Sequence, residues 1–487
     1  MTLRLVLDDT LPATPSLHDL IGVHKFGALV FQRRTRAQTM AAIAEAAGAR
    51  FVHLQSQADM DALADDLRTQ PDDALYMLAP AYLAPMCGAD ALTTFLRQVA
   101  HSPNNLRMPA DGPSTDCWAL LRTPLLRQYL SLAAKARQAE FFETHNAELI
   151  EVRDRLPLID IRNERALLDF LSGQLDARHF NDVSRDDYTV VKRSADRVKL
   201  KREFEFYHHA PPAMQMFLVQ PFDFKDDGAT ASYRMERLSV PDMALQWVHG
   251  ALNEAEFARF LDHIFYFIKS RPERSASPAD VRRVQDDLYI EKVQRRLQEL
   301  KAAPGYAALA PLLDRACGGV DALFERYQGI FARLRKRLPA DRLALGHGDP
   351  CFSNILYSKT NQYLKLIDPR GAEDADALYT DAVYDIAKLS HSVLGDYDFI
   401  NQGKFDILVD ERLRPTLAIE DAPPAWARRL FLERIASAGL DPALVRACEA
   451  SLFISMLPLH MDRPQKVLGF AIRGASILDE LSPRQAS

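Results

Sequence analysis

Residues 343–371 read LALGHGDPCFSNILYSKTNQYLKLIDPRG and hold two acids and an amide, Asp349, Asn354 and Asp368, spaced to suit phosphate chemistry. The runs "ILY" and "YLKLID" flank "SKTNQ", which predicts an antiparallel hairpin. Such a hairpin returns the end of its second strand to the start of its first, so Asn354 and Asp368 are expected side by side. An amide oxygen and a carboxylate are hard ligands suited to Mg²⁺, which takes few protein oxygens and completes its shell with phosphates and water. Asp349, in the loop entering the hairpin, is placed to serve as base for a substrate hydroxyl. A base and a metal clamp on one loop and hairpin are the parts of a phosphoryl-transfer site.

His347-Gly348-Asp349 with Asn354 and then Asp368 resembles the H-G-D-x-x-x-x-N…D signature of the aminoglycoside phosphotransferase and choline kinase group, small-molecule relatives of protein kinases. The resemblance implies that Asp349 is the catalytic base, that Asn354 and Asp368 bind Mg²⁺, and that His347 is a structural hub of the loop. It implies ATP as phosphoryl donor. "DAVYDIAKL" is similar to the helix that follows the metal-binding acid in that group. Asp-Pro-Arg-Gly stands where many relatives have an aromatic after the acid, which leaves Arg370 as a candidate substrate contact. The resemblance covers about residues 178–480.

A site of this kind must be positioned by a small sheet-rich lobe with a strand lysine for the nucleotide phosphates and a helix acid that pairs with it. "DDYTVVKRS" reads as a strand offering Lys192. "DRVKLKREFEFYHHAPP" reads as a helix stopped by Pro211 and Pro212, with Leu200, Phe204 and Tyr207 as its apolar stripe. Glu203 flanks that stripe and is preferred over Glu205 as the lysine's partner. "MQMFLVQPFDF" and "TASYRMERL" read as an antiparallel pair around "KDDG". The resemblance implies that Met235, Glu236 and Arg237 form a hinge whose backbone meets the adenine. A glycine-rich phosphate loop is missing from "HFNDVSRDDY", where Ser184 is a weak substitute. "SMLPLHMDRPQKVLGF" places His460, Asp462 and Arg463 at a break between two helices. With Tyr397 and Asp398 of "GDYDF" they are candidate acceptor contacts, against helix capping and packing as the ordinary account of each. A His-x-Asp pair alone makes no metal site.

The first 145 residues alternate strand and helix patterns: "GALVFQ", "RFVHLQS" and "DALYMLAP" as strands, "TRAQTMAAIAEAAGA", "DMDALADDLRT" and "ADALTTFLRQVA" as helices. That alternation argues for βαβ units on a parallel sheet. Residues 103–116 read as a loop, "CWALLRTPLLRQYLSLAAKARQAEFFE" as a long helical pattern, and residues 145–177 as helices. The opening resembles a sugar nucleotidyltransferase of GT-A-like fold, with strand, helix ending in Ala-Gly and second strand in that order. The Gly-rich nucleotide loop of that fold is missing, since Gly22 and Gly27 stand outside such a pattern, so the domain reads as a degenerate relative. Asp8 and Asp9 read as turn or capping residues rather than metal acids.

The expected organisation is an α/β nucleotidyltransferase-like domain over residues 1–145, a helical linker and kinase-like small lobe over 146–240, and a helical large lobe with the catalytic loop over 241–487. The second part is an α+β, protein-kinase-like bilobal domain. At 487 residues the chain exceeds a single core. Its net charge of −6 gives no overall basic field for nucleic acid. Five dispersed cysteines without a CxxC pair suggest neither a zinc knuckle nor a disulfide framework and fit a reducing, cytoplasmic setting. "MTLRLVLDDT" lacks a signal-peptide core, and no run of about 18 apolar residues is expected to span a membrane. The combined reading is an ATP- and Mg²⁺-dependent small-molecule kinase, with a sugar hydroxyl of carbohydrate or surface-polysaccharide metabolism as acceptor by fold analogy. The alternatives are a nucleotide-binding pseudokinase or scaffold, and an active sugar nucleotidyltransferase fused to a kinase.

Overall fold

The computed structural model describes residues 3–482 apart from 32, 112–115, 133–136, 154, 174–180, 187 and 373. The chain divides into two compact units, Met1–Asp176 and Ala177–Ser487.

The first unit begins with the expected alternation: β1 (Arg4–Asp8), α1 (Arg36–Ala47), β2 (Arg50–Leu54), α2 (Gln57–Leu67), β3 (Leu75–Pro80) and α3 (Ala89–Val99). Thr35 and Gln38 form a capping box at the start of α1, and Gly48 closes it at φ 73°. β2 and β3 both pair with β1 in parallel. Beyond β3 the expected parallel sheet becomes mixed. β4 (Leu106–Pro109), β5 (Cys117–Arg122) and β6 (Ile150–Glu151) complete the order β2-β1-β3-β5-β4-β6, with β5 antiparallel to both its neighbours.

Four local expectations are corrected here. "CWALLR", expected inside a long helix, is the central strand β5, and Trp118, Ala119, Leu120 and Leu121 are all buried. A short apolar run bounded by turns looks alike as buried helix or buried strand, and its pairing partners decide. β4 lies within the segment expected to be loop. Residues 145–177 form the strands Ile150–Glu151 and Leu158–Asp160 before the helix Glu164–Gly173, and they belong to the first unit up to residue 176. Of "GALVFQ" only Val30–Phe31 is strand, paired with Arg34–Thr35, while "RLVLD" supplies β1.

The second unit opens with β7 (Asn181–Arg185), β8 (Thr189–Ser194), α4 (Arg197–His209), β9 (Pro221–Asp226) and β10 (Ala231–Glu236). The four strands form an antiparallel sheet in the order β7-β8-β10-β9. α4 packs on it through Leu200 and Phe204, the latter against Phe224 and Tyr233, while Phe206, not the expected Tyr207, is fully buried and faces His347. A largely helical body follows: α5 (Glu254–Ser270), α6 (Lys292–Ala302), β11 (Arg342–Leu345), the hairpin β12 (Ile355–Ser358) and β13 (Tyr363–Leu366), α7 (Tyr384–Val393), α8 (Pro442–Met456) and α9 (Pro464–Leu481). Its core helix is α8. The stretch Pro442–His460 is long and apolar enough to cross a membrane by length and composition, contrary to expectation, but 78% of its apolar window is buried inside the fold. It packs against α6, α7 and α9 and carries the buried pair Arg446–Glu449, as a core helix does.

Candidate active site

β11 ends at Leu345 and delivers the chain into His347-Gly348-Asp349. The His347 ring is buried edge-on to Phe206 of α4 and Phe267 of α5, with centroids 5.9 and 6.4 Å away. Its Nδ1 accepts the Asp349 amide at 3.3 Å. Burial holds the imidazole below its ordinary pKa although Asp385 and Asp349 oppose this. The loop itself is clamped from α7: the Asp385 carboxylate accepts the amides of His347 at 2.9 Å and Gly348 at 2.8 Å and pairs with Arg271 at 2.9 Å. Gly348 has φ +82°, and a Cβ there would meet the Arg370 Cβ at 2.7 Å, so glycine suits both the backbone and the space.

The β12–β13 hairpin forms in the expected register, Ile355 opposite Leu366. The Ile367 amide bonds the Asn354 carbonyl at 3.0 Å, which brings Asn354 beside Ile367-Asp368. Asn354 Nδ2 donates to the Asp349 carbonyl at 2.9 Å, tying amide and acid loop together. Asp368 sits in the left-handed region at φ +57°, its side chain 42% exposed.

Lys192 of β8 reaches the same place. Its ammonium is 2.9 Å from Asp368 Oδ1 and bonded to Glu203 Oε1, which also accepts the Tyr233 hydroxyl at 2.5 Å. Burial alone would lower the Lys192 pKa, but Asp368 and Glu203 outweigh it and raise it. Glu205 turns instead to Lys201 at 3.5 Å. The fold therefore brings Lys192, Glu203, Asp368, Asn354 and Asp349 to one place. Beside them opens a narrow cleft, lined among others by Phe206, Leu218, Tyr233, Met235 and Ile367. Met235 faces it. Glu236 is exposed at the end of β10, and the Arg237 amide and guanidinium are engaged with the carbonyls of Tyr188 at 2.8 Å and Asp186 at 3.0 Å. Ser184 is exposed.

The donor set fits Mg²⁺. Asn354 spends its NH₂ on Asp349, leaving its oxygen for another partner, and Asp368 is half exposed. Among the described residues no group of three or more His, Cys, Asp or Glu side chains gathers as a metal site. One amide oxygen and one carboxylate are what a Mg²⁺ shared with phosphates and water requires of the protein.

Several groups around Asp349 went unread in the sequence. Lys388 of α7 pairs with its carboxylate at 2.8 Å. Burial pushes the Asp349 carboxyl up, but Lys388 and Arg370 more than offset this and hold it below the usual carboxylate range. Arg370 Nη1 donates to the Tyr384 hydroxyl at 3.2 Å, and Lys292 Nζ donates to the same oxygen at 2.7 Å. In "DAVYDIAKL", Tyr384 and Lys388 stand four apart, the spacing of one helix face, and that signal was legible. Lys292 left none. Of the remaining candidates, Asp398 is buried with its side chain beside Ser392, and His460 is buried with its ring 5.0 Å from Phe470. Tyr397 stacks on His391 at 4.1 Å. Asp462 is exposed, 3.9 Å from Arg463.

No family model and no curated protein matches this sequence. Solved structures that resemble the chain include the aminoglycoside phosphotransferase APH(4)-Ia, at 11% identity and TM-score 0.40, covering 64% of this chain and 93% of that one. Aminoglycoside phosphotransferase APH(2'')-Ib in its ADP-bound form matches at 15% identity and TM-score 0.35, covering 62% and 93%. Choline kinase from Cryptosporidium parvum Iowa II matches at 13% identity and TM-score 0.35, covering 63% and 87%.

Proposed function

We propose that this chain is an ATP- and Mg²⁺-dependent small-molecule kinase that transfers the γ-phosphoryl group to a hydroxyl, with a sugar as the acceptor class we favour. One observation carries the reading: Lys192, paired with Glu203, meets Asp368 at 2.9 Å beside Asn354 and Asp349. Lys192 would hold the donor phosphates. Asn354 and Asp368 would hold Mg²⁺, which neutralises phosphate charge when bound. Asp349 orients the acceptor hydroxyl and takes its proton as the acceptor oxygen bonds the γ-phosphorus and the bond to the leaving diphosphate breaks. Lys388 keeps that carboxylate ionised, and Asp385 keeps the loop in place through two amides. Much of the rate in such transfers comes from positioning and charge stabilisation.

The first unit enters this proposal as a non-catalytic α/β body. In open α/β sheets ligands sit beyond the carboxyl ends of parallel strands. Here the Lys25 ammonium spans the ends of β1 and β2, donating to the carbonyls of Asp9, Thr10 and Gln55 at 2.9, 2.9 and 3.2 Å. Pyrophosphate release from a nucleoside triphosphate and a sugar phosphate would overturn that view.

The test is ADP formation by the purified chain with Mg²⁺-ATP and a panel of hydroxyl compounds. Asp349→Asn keeps the loop's shape and removes the proton acceptor, so transfer falls by about 10²–10⁴-fold, mainly in kcat. Transfer within a few-fold of wild type would remove Asp349 from its role. Nucleotide binding without turnover of any acceptor would point to the scaffold alternative.

A further inference from the structure

Three cationic side chains gather about Asp349 and Tyr384: Lys388 on the Asp349 carboxylate, and Arg370 and Lys292 on the Tyr384 hydroxyl. Asp349 is the one carboxylate among them. Among the described residues neither Lys292 nor Arg370 is in an ion pair with an acid, while Asp368 and Glu203 are committed to Lys192. Lys292 packs over the Tyr384 ring at 5.1 Å. It is set there by a π-helical turn, Asp287–Glu291, immediately before α6. In that turn Tyr289 is anchored to Asp381 at 3.0 Å and lies 6.1 Å from the Tyr384 ring. Such turns widen a helix and are frequent at functional sites.

A tyrosine hydroxyl has two lone pairs and one proton. Lys292 and Arg370 donate to the Tyr384 oxygen, so in its protonated form the phenol's remaining capacity is to give that proton. Lys292, Arg370 and Lys388 outnumber Asp349 by two charges when Tyr384 is protonated and by one when it is ionised, so the cluster keeps an excess of positive charge. Partly buried positive charge in excess of its counter-charges is costly, and an anion brought by a ligand offsets that cost.

We infer that the acceptor of this site carries an oxyanion, a phosphate or carboxylate, close to the hydroxyl it presents, and that Lys292, Arg370 and Tyr384 bind that group. The inference rests on the kinase reading for the word acceptor, and the experiment separates the two.

Thermal shifts of the full chain are measured with glycerol 3-phosphate, glycerate and glycerol at matched ionic strength, each with and without saturating Mg²⁺ and AMP-PNP. One or both anions should stabilise the protein beyond glycerol while AMP-PNP is bound. A response to glycerol 3-phosphate alone assigns a phosphate, and to glycerate alone a carboxylate. Arg370→Met and Lys292→Met, each checked by its ligand-free midpoint, should each weaken the anion response by about tenfold or more, as loss of a charged hydrogen bond does. The inference is overturned if neither anion exceeds glycerol, or if both variants respond like wild type. It is also overturned if bound AMP-PNP abolishes the response, because the cluster then serves the nucleotide's own phosphates. Failure of AMP-PNP to bind at all would defeat the kinase reading alone, since the anion titrations without nucleotide still report on the cluster.

Discussion

Lys192 stands between a buried carboxylate and a half-exposed one, and the two have different consequences. Removing the lysine strands Glu203 in the interior with the Tyr233 hydroxyl as its remaining partner. Lys192→Ala should therefore cost about 3–5 kcal/mol, the range for breaking a buried pair, and abolish turnover. Lys192→Met with Glu203→Met should recover most of that stability and none of the activity. Denaturant melts and ADP release separate the two effects. Tyr384 offers a pH signature. Burial raises its phenol, but Arg370, Lys292 and Lys388 outweigh this and bring it down to about 7. A folded pKa below the unfolded value near 10 adds stability that is complete above pH 10 and is lost as pH falls through about 7. The gap by which Tyr384→Phe falls behind wild type should widen from pH 7 to 10 relative to pH 6, read as the difference between denaturant midpoints. Parallel curves across that range would refute the cation cluster's hold on the phenol.

At the scale of elements, the site depends on α4 lying close to the segment that leaves β13. Gly371 marks the contact: a Cβ there would sit 1.8 Å from the Arg202 carbonyl on α4. Gly371→Ala must push α4 away, and α4 carries Glu203. We expect a loss of about 1–3 kcal/mol, as for overpacking, together with weaker AMP-PNP binding although the new methyl touches no proposed ligand contact. Unchanged nucleotide affinity would show that α4 moves without consequence for Lys192. The loop before β12 is held in the same indirect way, by Asp385 reaching back from α7 to two amides.

For the whole molecule, every group proposed to act lies in the unit Ala177–Ser487. A fragment of residues 177–487 should bind AMP-PNP with the affinity of the full chain, measured by calorimetry. A large loss would give the first unit a part in the site. The large lobe also stores a cost in Asp398, whose burial pushes its carboxyl up to about 7, with Ser392 opposing and Asp242 adding to the rise. The unfolded chain ionises near 3.9, so stability falls as pH rises from about 4 to 7 and stays lowered above that. Asp398→Asn should be more stable than wild type at pH 8, by about 2–4 kcal/mol at most, with the gap closing near pH 4. Equal melts at pH 8 would show that Asp398 has a partner in solution.

What the sequence determined by itself lay within short stretches of chain. The β12–β13 register follows from alternation around "SKTNQ" and brings Asn354 to Asp368 across 14 residues. Lys192 and Glu203 are 11 residues apart on adjacent elements, and helix spacing was enough to prefer Glu203 over Glu205. What needed the tertiary structure was partnership over longer distances. Periodicity tells which face of an element is apolar, but not which element covers it. "CWALLR" became β5 because β3 and β4 pair with it, and its own residues suit either state. Asp385 reaching amides 37 and 38 residues earlier, Lys388 pairing with Asp349, and Lys292 lying on Tyr384 from 92 residues away depend on how helices pack. Packing is a cooperative property of the whole core, so the groups that set the charge of this site became visible only in the folded chain.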